Sequence, residues 1–302
     1  MRTRFYVSRS LLLLAGIFIV TGLFAQDKAV AGKLFPRKYK VGDTYRYRLT
    51  TEQLYNGKWN ATTIVVMELK VVLDSTGVPY DEVYSVSQMV YTPKDTTNAD
   101  GEARAVKPYR ISLHPAGTVD IPKIDVPGMT GPITDFITFF VAVSPQSRIT
   151  TLEKKGDSLI KKETVKGNFA NGKSILYGED CLAIKGYITD VTNASVKLRT
   201  VFLPPTQPCL SFLSDDMNTA VTTDVLNNFQ MVQPAGGKVN VLFGNEVFTI
   251  NSVVSRKDGK ITGAEMSNTL HLKMRMGCDS AYKNHQMEVP FHIQRNLKLE
   301  LL

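Results

Sequence analysis

The stretch RKDGKITGAE, residues 256–265, carries what could be the back half of an EF-hand calcium loop. Asp258, Gly259, Ile261 and Glu265 fall at loop positions 5, 6, 8 and 12. Calcium also requires oxygen ligands at positions 1 and 3, where this chain has Val254 and Arg256, and a guanidinium repels a cation. Asp-Gly between strand-like segments is instead the pair that tight hairpin turns demand, because glycine accepts positive φ at no steric cost. The expectation is a β-hairpin around Asp258-Gly259 joining two antiparallel strands, and no metal.

Other reactive residue types are sparsely arranged. His114, His271, His285 and His292 include no HExxH and no helical i, i+4 pair, so they read as structural or solvated histidines. GxSxG, CxxC, a Walker loop and GxGxxG are all absent. Cys181 stands beside Glu179 and Asp180, whose charges raise a thiol pKa and disfavour a nucleophilic thiolate. A carboxylate-based hydrolase could draw on Asp81-Glu82, Glu179-Asp180 or Asp215-Asp216, but the spacing such chemistry needs is spatial. No cofactor is expected. Nucleic acid is not expected either. The basic-aromatic run YRYR (45–48) alternates, with tyrosines on one face and arginines on the other.

The start of the chain sets the compartment. Arg2, Arg4 and Arg9 precede an uncharged apolar run from Leu11 to Phe24, too short to span a bilayer comfortably and closed by Ala25. This reads as a secretory signal peptide, residues 1–25, cleaved after Ala25. No cysteine lies near the cleavage point, so no lipid anchor is expected, and the mature protein is placed in the periplasm or outside the cell. Removing three arginines lowers the formal charge from +8 to +5, dispersed along the chain. Cys181, Cys209 and Cys278 then enter an oxidising compartment, where one disulfide is expected. Three pairings are possible; Cys181–Cys209 is the most local, and geometry decides.

The elements that must position these residues are mostly strands. A polar lead covers residues 26–38. Tyr45, Tyr47, Leu49 and Thr51 then share one face of a strand, and Asn56-Gly57 predicts a hairpin back into TTIVVMELKVVL. Residues 92–110 read as a polar loop. Near the C-terminus, Phe291, Ile293, Leu297, Leu299 and Leu301 share one face, which Arg295 interrupts, an expected bend or sheet edge. Two helices are predicted. One covers 215–229, with Val221, Val225, Leu226 and Phe229 as its stripe. The other covers 133–143 behind Pro132, with Ile133, Phe136, Ile137 and Phe140 at i, i+3, i+4 and i+7, although its β-branched and aromatic content also suits a buried strand.

With Phe139 and Val141 added, the 133–143 helix is apolar beyond one stripe and must be covered almost all round. It either fills the core of a curved sheet or lines a cavity for a lipid or other apolar ligand. Ile133, Phe136, Ile137, Phe139 and Phe140 are the candidate binding residues of the second reading. The fold class is mainly β (α+β): one or two curved, half-barrel-like antiparallel sheets with one or two helices on the concave face. Two β-rich units, 39–145 and 146–302, or one continuous domain 39–302, accommodate the strands. The order of elements resembles bacterial envelope proteins with half-barrel ligand cavities, of the lipoprotein-carrier type, with no shared motif to assign residues. The functional expectation is an exported, non-enzymatic envelope protein that binds an apolar ligand or an envelope protein partner. A secreted hydrolase and an outer-membrane β-barrel are the alternatives.

Overall fold

A computed structural model describes residues 35–168, 174–213, 220–222, 227–279 and 284–302. The expected signal peptide and most of the polar lead lie outside them. The chain opens with β1 (Thr44–Tyr55), β2 (Lys58–Leu73) and β3 (Pro79–Tyr91). Asn56-Gly57 makes the first hairpin turn with φ of 49° and 76°, the double positive φ for which Asn-Gly is favoured. Residues 92–110 are not simply a loop. They hold β4 (Thr96–Asn98), the short helix α1 (Asp100–Ala105) and the start of β5 (Tyr109–Ile111), and Ala103 anchors α1 by full burial.

A 3-10 turn, Pro127–Met129, feeds α2 (Thr130–Ala142). The helix therefore begins two residues before Pro132, which sits in its first turn, where a missing N–H costs nothing. The second half supplies β6 (Ser158–Asn168), β7 (Ser174–Val191), β8 (Ser195–Leu203), β9 (Ser211–Leu213), β10 (Ala220–Thr222), β11 (Phe229–Ala235), β12 (Lys238–Ser255), β13 (Ile261–Cys278) and β14 (Met287–Leu301). The helix expected at 215–229 is corrected wherever that segment is described. Ala220–Thr222 pairs with β9 as a strand, and Phe229 opens β11. Threonines and valines dominate its middle and favour extended backbone, and a neighbouring strand overrode the helical spacing.

The strands form one open antiparallel sheet. Its order runs β3-β2-β1-β14-β13-β12-β8-β7, with β4 and β5 on the outer side of β3, β6 and β9 on β7, and β11 on β12. The last strand pairs with the first, from Tyr47↔Leu301 to Tyr55↔Ile293, so the C-terminus closes the middle of the sheet rather than an edge. The sheet does not close into a barrel. Its outer face carries cross-strand ion pairs, Arg46–Glu68 and Arg48–Glu300, where a lipid-facing barrel has an apolar band. Those two arginines are the ones in YRYR, already matched to carboxylates. Among the described residues no helix is long and apolar enough to cross a membrane.

The expected hairpin at Asp258-Gly259 joins β12 to β13. Gly259 has φ of 70°, its N–H donates to the Ser255 carbonyl, and Ser255 N–H donates to the Lys260 carbonyl. A β-carbon on Gly259 would come within 2.5 Å of the Arg37 α-carbon, so the turn is also a seat for the N-terminal strap. Cys181 and Cys209 form a disulfide with α-carbons 5.4 Å apart, within the range an unstrained backbone allows. Cys278 is a buried thiol at the end of β13, and burial raises its pKa.

Candidate functional site

α2 lies across the concave face of the sheet. Ile133, Phe136, Ile137, Phe139 and Phe140 are each at most 2% exposed. Tyr47 of β1 meets Phe136 and Phe140 edge-on, at ring distances of 5.9 and 5.7 Å, and the two phenylalanines lie 4.9 Å apart. Aromatic side chains bury more area than any other and gain further from such tilted contacts. The five candidate ligand-binding residues thus fill the concavity themselves. A void of about 40 Å³ remains beside the end of α2, lined by Thr138, Val141, Ala142, Ile149, Phe248 and Ile250. It has room for a few waters, against the several hundred Å³ of a small-molecule site. None of the five residues lines it.

One part of this interior is not apolar. Asp135 projects from α2 toward the sheet and accepts a charge-assisted hydrogen bond from Arg295 Nη2 of β14. Their side chains are 8% and 9% exposed. Thr51 of β1 is buried on the same inward face and helps hold the Asp135 carboxyl down. Beside them, Asn268 Nδ2 of β13 donates to Glu246 Oε1 of β12 at 2.7 Å. Asn228 brackets the backbone of Glu246, with Nδ2 donating to its carbonyl and Oδ1 accepting from its N–H. Four adjacent strands and the helix therefore contribute to one buried polar belt.

The belt follows from strand alternation. Glu246 has the parity of Phe248 and Ile250; Asn268 has that of Met266 and Leu270; Arg295 has that of Ile293 and Leu297. Each is a polar residue in an apolar row, turned inward by the period of two. Register then aligns them: Arg295 stands opposite Asn268, and Asn268 opposite Phe248, two residues from Glu246. Arg295 is therefore at neither a bend nor an edge. It pairs on both sides, with Gln53 in β1 and Asn268 in β13, and faces inward to meet Asp135.

The electrostatics are unbalanced. One guanidinium serves two carboxylates. Burial raises the pKa of Asp135, and Arg295 and Thr51 pull it back only in part. Burial pushes Glu246 up to about 7, opposed by the Asn268 hydrogen bond and Arg295 and reinforced by the negative charge of Asp135. Glu246 Oε2, Asn268 Oδ1 and Arg295 Nε have no hydrogen-bond partner within the protein. A protonated Glu246 supplies a donor and leaves one ion pair, which is the cheaper way to bury this set. The belt also divides the core. A main cluster surrounds α2, and a smaller one, Phe229, Leu242, Leu270, Leu272 and Ile293, lies beyond Glu246 and Arg295.

A second buried ion pair lies where the N-terminal strap crosses the sheet. Arg37 Nη2 donates to Asp81 Oδ1 at 3.2 Å and to the Tyr45 hydroxyl at 3.1 Å. The side chains of Arg37 and Asp81 are 3% and 1% exposed. Burial raises the Asp81 carboxyl, countered by Arg37, Tyr45 and Lys260, and burial lifts the Tyr39 phenol to about 12. Asp81 and Glu82 do not act as an acid pair. Strand alternation sends Glu82 to the outer face, where Arg110 holds it. Asp215-Asp216 lies outside the described residues. No group of three or more His, Cys, Asp or Glu residues converges as a metal centre among the described residues.

No family model and no curated protein matches the sequence. Among solved structures, the chain aligns with MucB in complex with MucA(peri), at 7% identity over 85% of this chain and 89% of that one, with a TM-score of 0.15. It also aligns with Pseudomonas aeruginosa OccK2 (OpdF) in complex with glucuronate, at 8% identity over 87% and 99%, with a TM-score of 0.17. Scores this low do not amount to a shared fold.

Proposed function

We propose that this chain is an exported, non-enzymatic envelope protein, periplasmic or extracellular and not lipid-anchored, that acts by binding a protein partner on its outer surfaces. The observation that carries the reading is the filled concavity. Five large apolar side chains of α2 occupy the space a lipid would need, and the neighbouring void is about 40 Å³. The Cys181–Cys209 disulfide supports an oxidising compartment, and the apolar run at 11–24 supports an exported precursor. The non-enzymatic reading is supported by the belt itself. Its two acids carry raised pKa values, a property of many active sites, but they are sealed between helix and sheet. Lipid binding through Ile133, Phe136, Ile137, Phe139 and Phe140 would require α2 to leave the sheet and break the Asp135–Arg295 pair.

The test is expression of the full chain, leader included, in a Gram-negative host, followed by fractionation and native mass spectrometry of the protein as recovered. The expected result is a soluble periplasmic or secreted species at the mass of residues 26–302 with one disulfide and no lipid. A stoichiometric co-purifying lipid would sink the protein-partner reading and restore the apolar-ligand one. Retention in the cytoplasm at full precursor mass would sink export.

A further inference from the structure

We propose that His271 and His292 form a surface site for a borderline divalent transition ion, Cu²⁺, Ni²⁺ or Zn²⁺, with the side-chain amide oxygen of Asn245 as a third ligand. Nothing in the linear sequence brings these residues together, since 20 positions separate the two histidines. The sheet does. Asn245 of β12 stands opposite His271 of β13, and His271 opposite His292 of β14, in unbroken register. Directly opposed residues point to the same side. Their chain neighbours Glu246, Leu272 and Ile293 are buried inward, so all three face outward in one lateral row.

The two imidazoles stack with ring centres 4.7 Å apart and planes 18° from parallel. His292 Nε2 is buried and has no hydrogen-bond partner within the protein, and the same holds for Asn245 Oδ1. His292 is fixed from below. Its backbone N–H donates to Asn56 Oδ1 at 2.9 Å, and its carbonyl accepts from Asn56 N–H at 2.8 Å, so the first hairpin turn clamps the strand. His271 is exposed. The rings meet face to face, so holding one ion requires the His271 ring to rotate until its in-plane nitrogen lone pair points toward that of His292. Two imidazole nitrogens and one amide oxygen suit copper, nickel or zinc. Magnesium and calcium prefer all-oxygen cages. Three protein ligands leave coordination positions open to water or a partner's side chain.

The measurement is titration of the metal-free mature protein with Cu²⁺, by calorimetry and by electron paramagnetic resonance. One equivalent is expected to bind with hyperfine structure from two imidazole nitrogens. His271→Ala and His292→Ala should each weaken that binding by at least about tenfold, and their combination should abolish it. Asn245→Ala should weaken it less. His285→Ala and His114→Ala should leave it unchanged. Circular dichroism of each variant separates ligand loss from unfolding, and His271→Gln provides a second variant of nearly matched size. Equal Cu²⁺ affinity in the His271→Ala/His292→Ala variant, or no binding by the unmutated protein, overturns the assignment.

Discussion

The described residues include two buried Arg–Asp pairs, and they are built differently. Arg37–Asp81 lies where the N-terminal strap crosses the sheet, with the Tyr45 hydroxyl beside it and Lys260 as a further cation acting on the acid. Arg295–Asp135 sits between α2 and the middle of the sheet, with Glu246 as a second acid. The first fastens a short strap, which buried Phe35 and the Lys38 N–H donating to the Asp258 carbonyl also hold. The second is held on all sides by β1, β12, β13, β14 and α2, and a charge left there has nowhere to go. Burial alone therefore does not set what an ion pair contributes. The local count of charges matters as much.

Removing the belt's cation should produce the largest effect. Arg295→Met leaves Asp135 beside Glu246 with no counter-charge and should cost about 3–5 kcal/mol in urea unfolding. The double variant Arg295→Met/Asp135→Leu should recover much of that loss, because no unpaired charge is then buried. A double variant no more stable than the single one would mean that packing, not charge, dominates the site.

The pH profile should separate the two regions next. Glu246 has a folded pKa raised to about 7, above the usual 4.5. Its proton therefore stabilises the fold fully below pH about 4.5, and that contribution is lost as pH rises through about 7. The total is on the order of 3 kcal/mol. Glu246→Gln keeps the acceptor for Asn268 and supplies a permanent donor. It should flatten this decline and raise Tm at pH 8, as differential scanning calorimetry would show. An unchanged profile would mean that Glu246 is ionised in the fold.

Smaller losses are expected at the strap. Asp81→Asn should cost about 1–3 kcal/mol, because the amide oxygen still accepts from Arg37, which also keeps the Tyr45 hydroxyl. Faster proteolysis near Phe35 should accompany it, and unchanged proteolysis would place the strap's stability elsewhere. The smallest expected change is Tyr45→Phe, which removes one hydrogen bond to Arg37 and should cost about 1 kcal/mol by chemical denaturation.

The two hairpin turns, Asn56-Gly57 and Asp258-Gly259, were readable in advance because turn chemistry is local. So was the period-2 face of Tyr45, Tyr47, Leu49 and Thr51. The 133–143 helix was readable as well, because its apolar residues recur at helical spacing. The helix read over 215–229 fails where that segment is described, at Ala220–Thr222 and Phe229, because strand pairing is a tertiary fact that spacing within one segment cannot contain. The belt was half visible. Arg295 stood out as a charge in an apolar row, and Glu246 and Asn268 carried the same signal in their own strands, but nothing local says that three such residues are neighbours.

The sequence by itself determined a β-rich chain with an apolar helix, its tight turns, and Arg295 as a charge within an apolar row, since each depends on dihedral preference or on a period of two or 3.6. Tertiary structure alone decided what lies beside what. Inter-strand register put Glu246, Asn268 and Arg295 in one belt and His271 against His292, and the curvature of the sheet gave α2 a concavity that its own side chains fill. Register is set by the summed pairing of whole strands, so the chemistry of these sites exists only once distant segments have met.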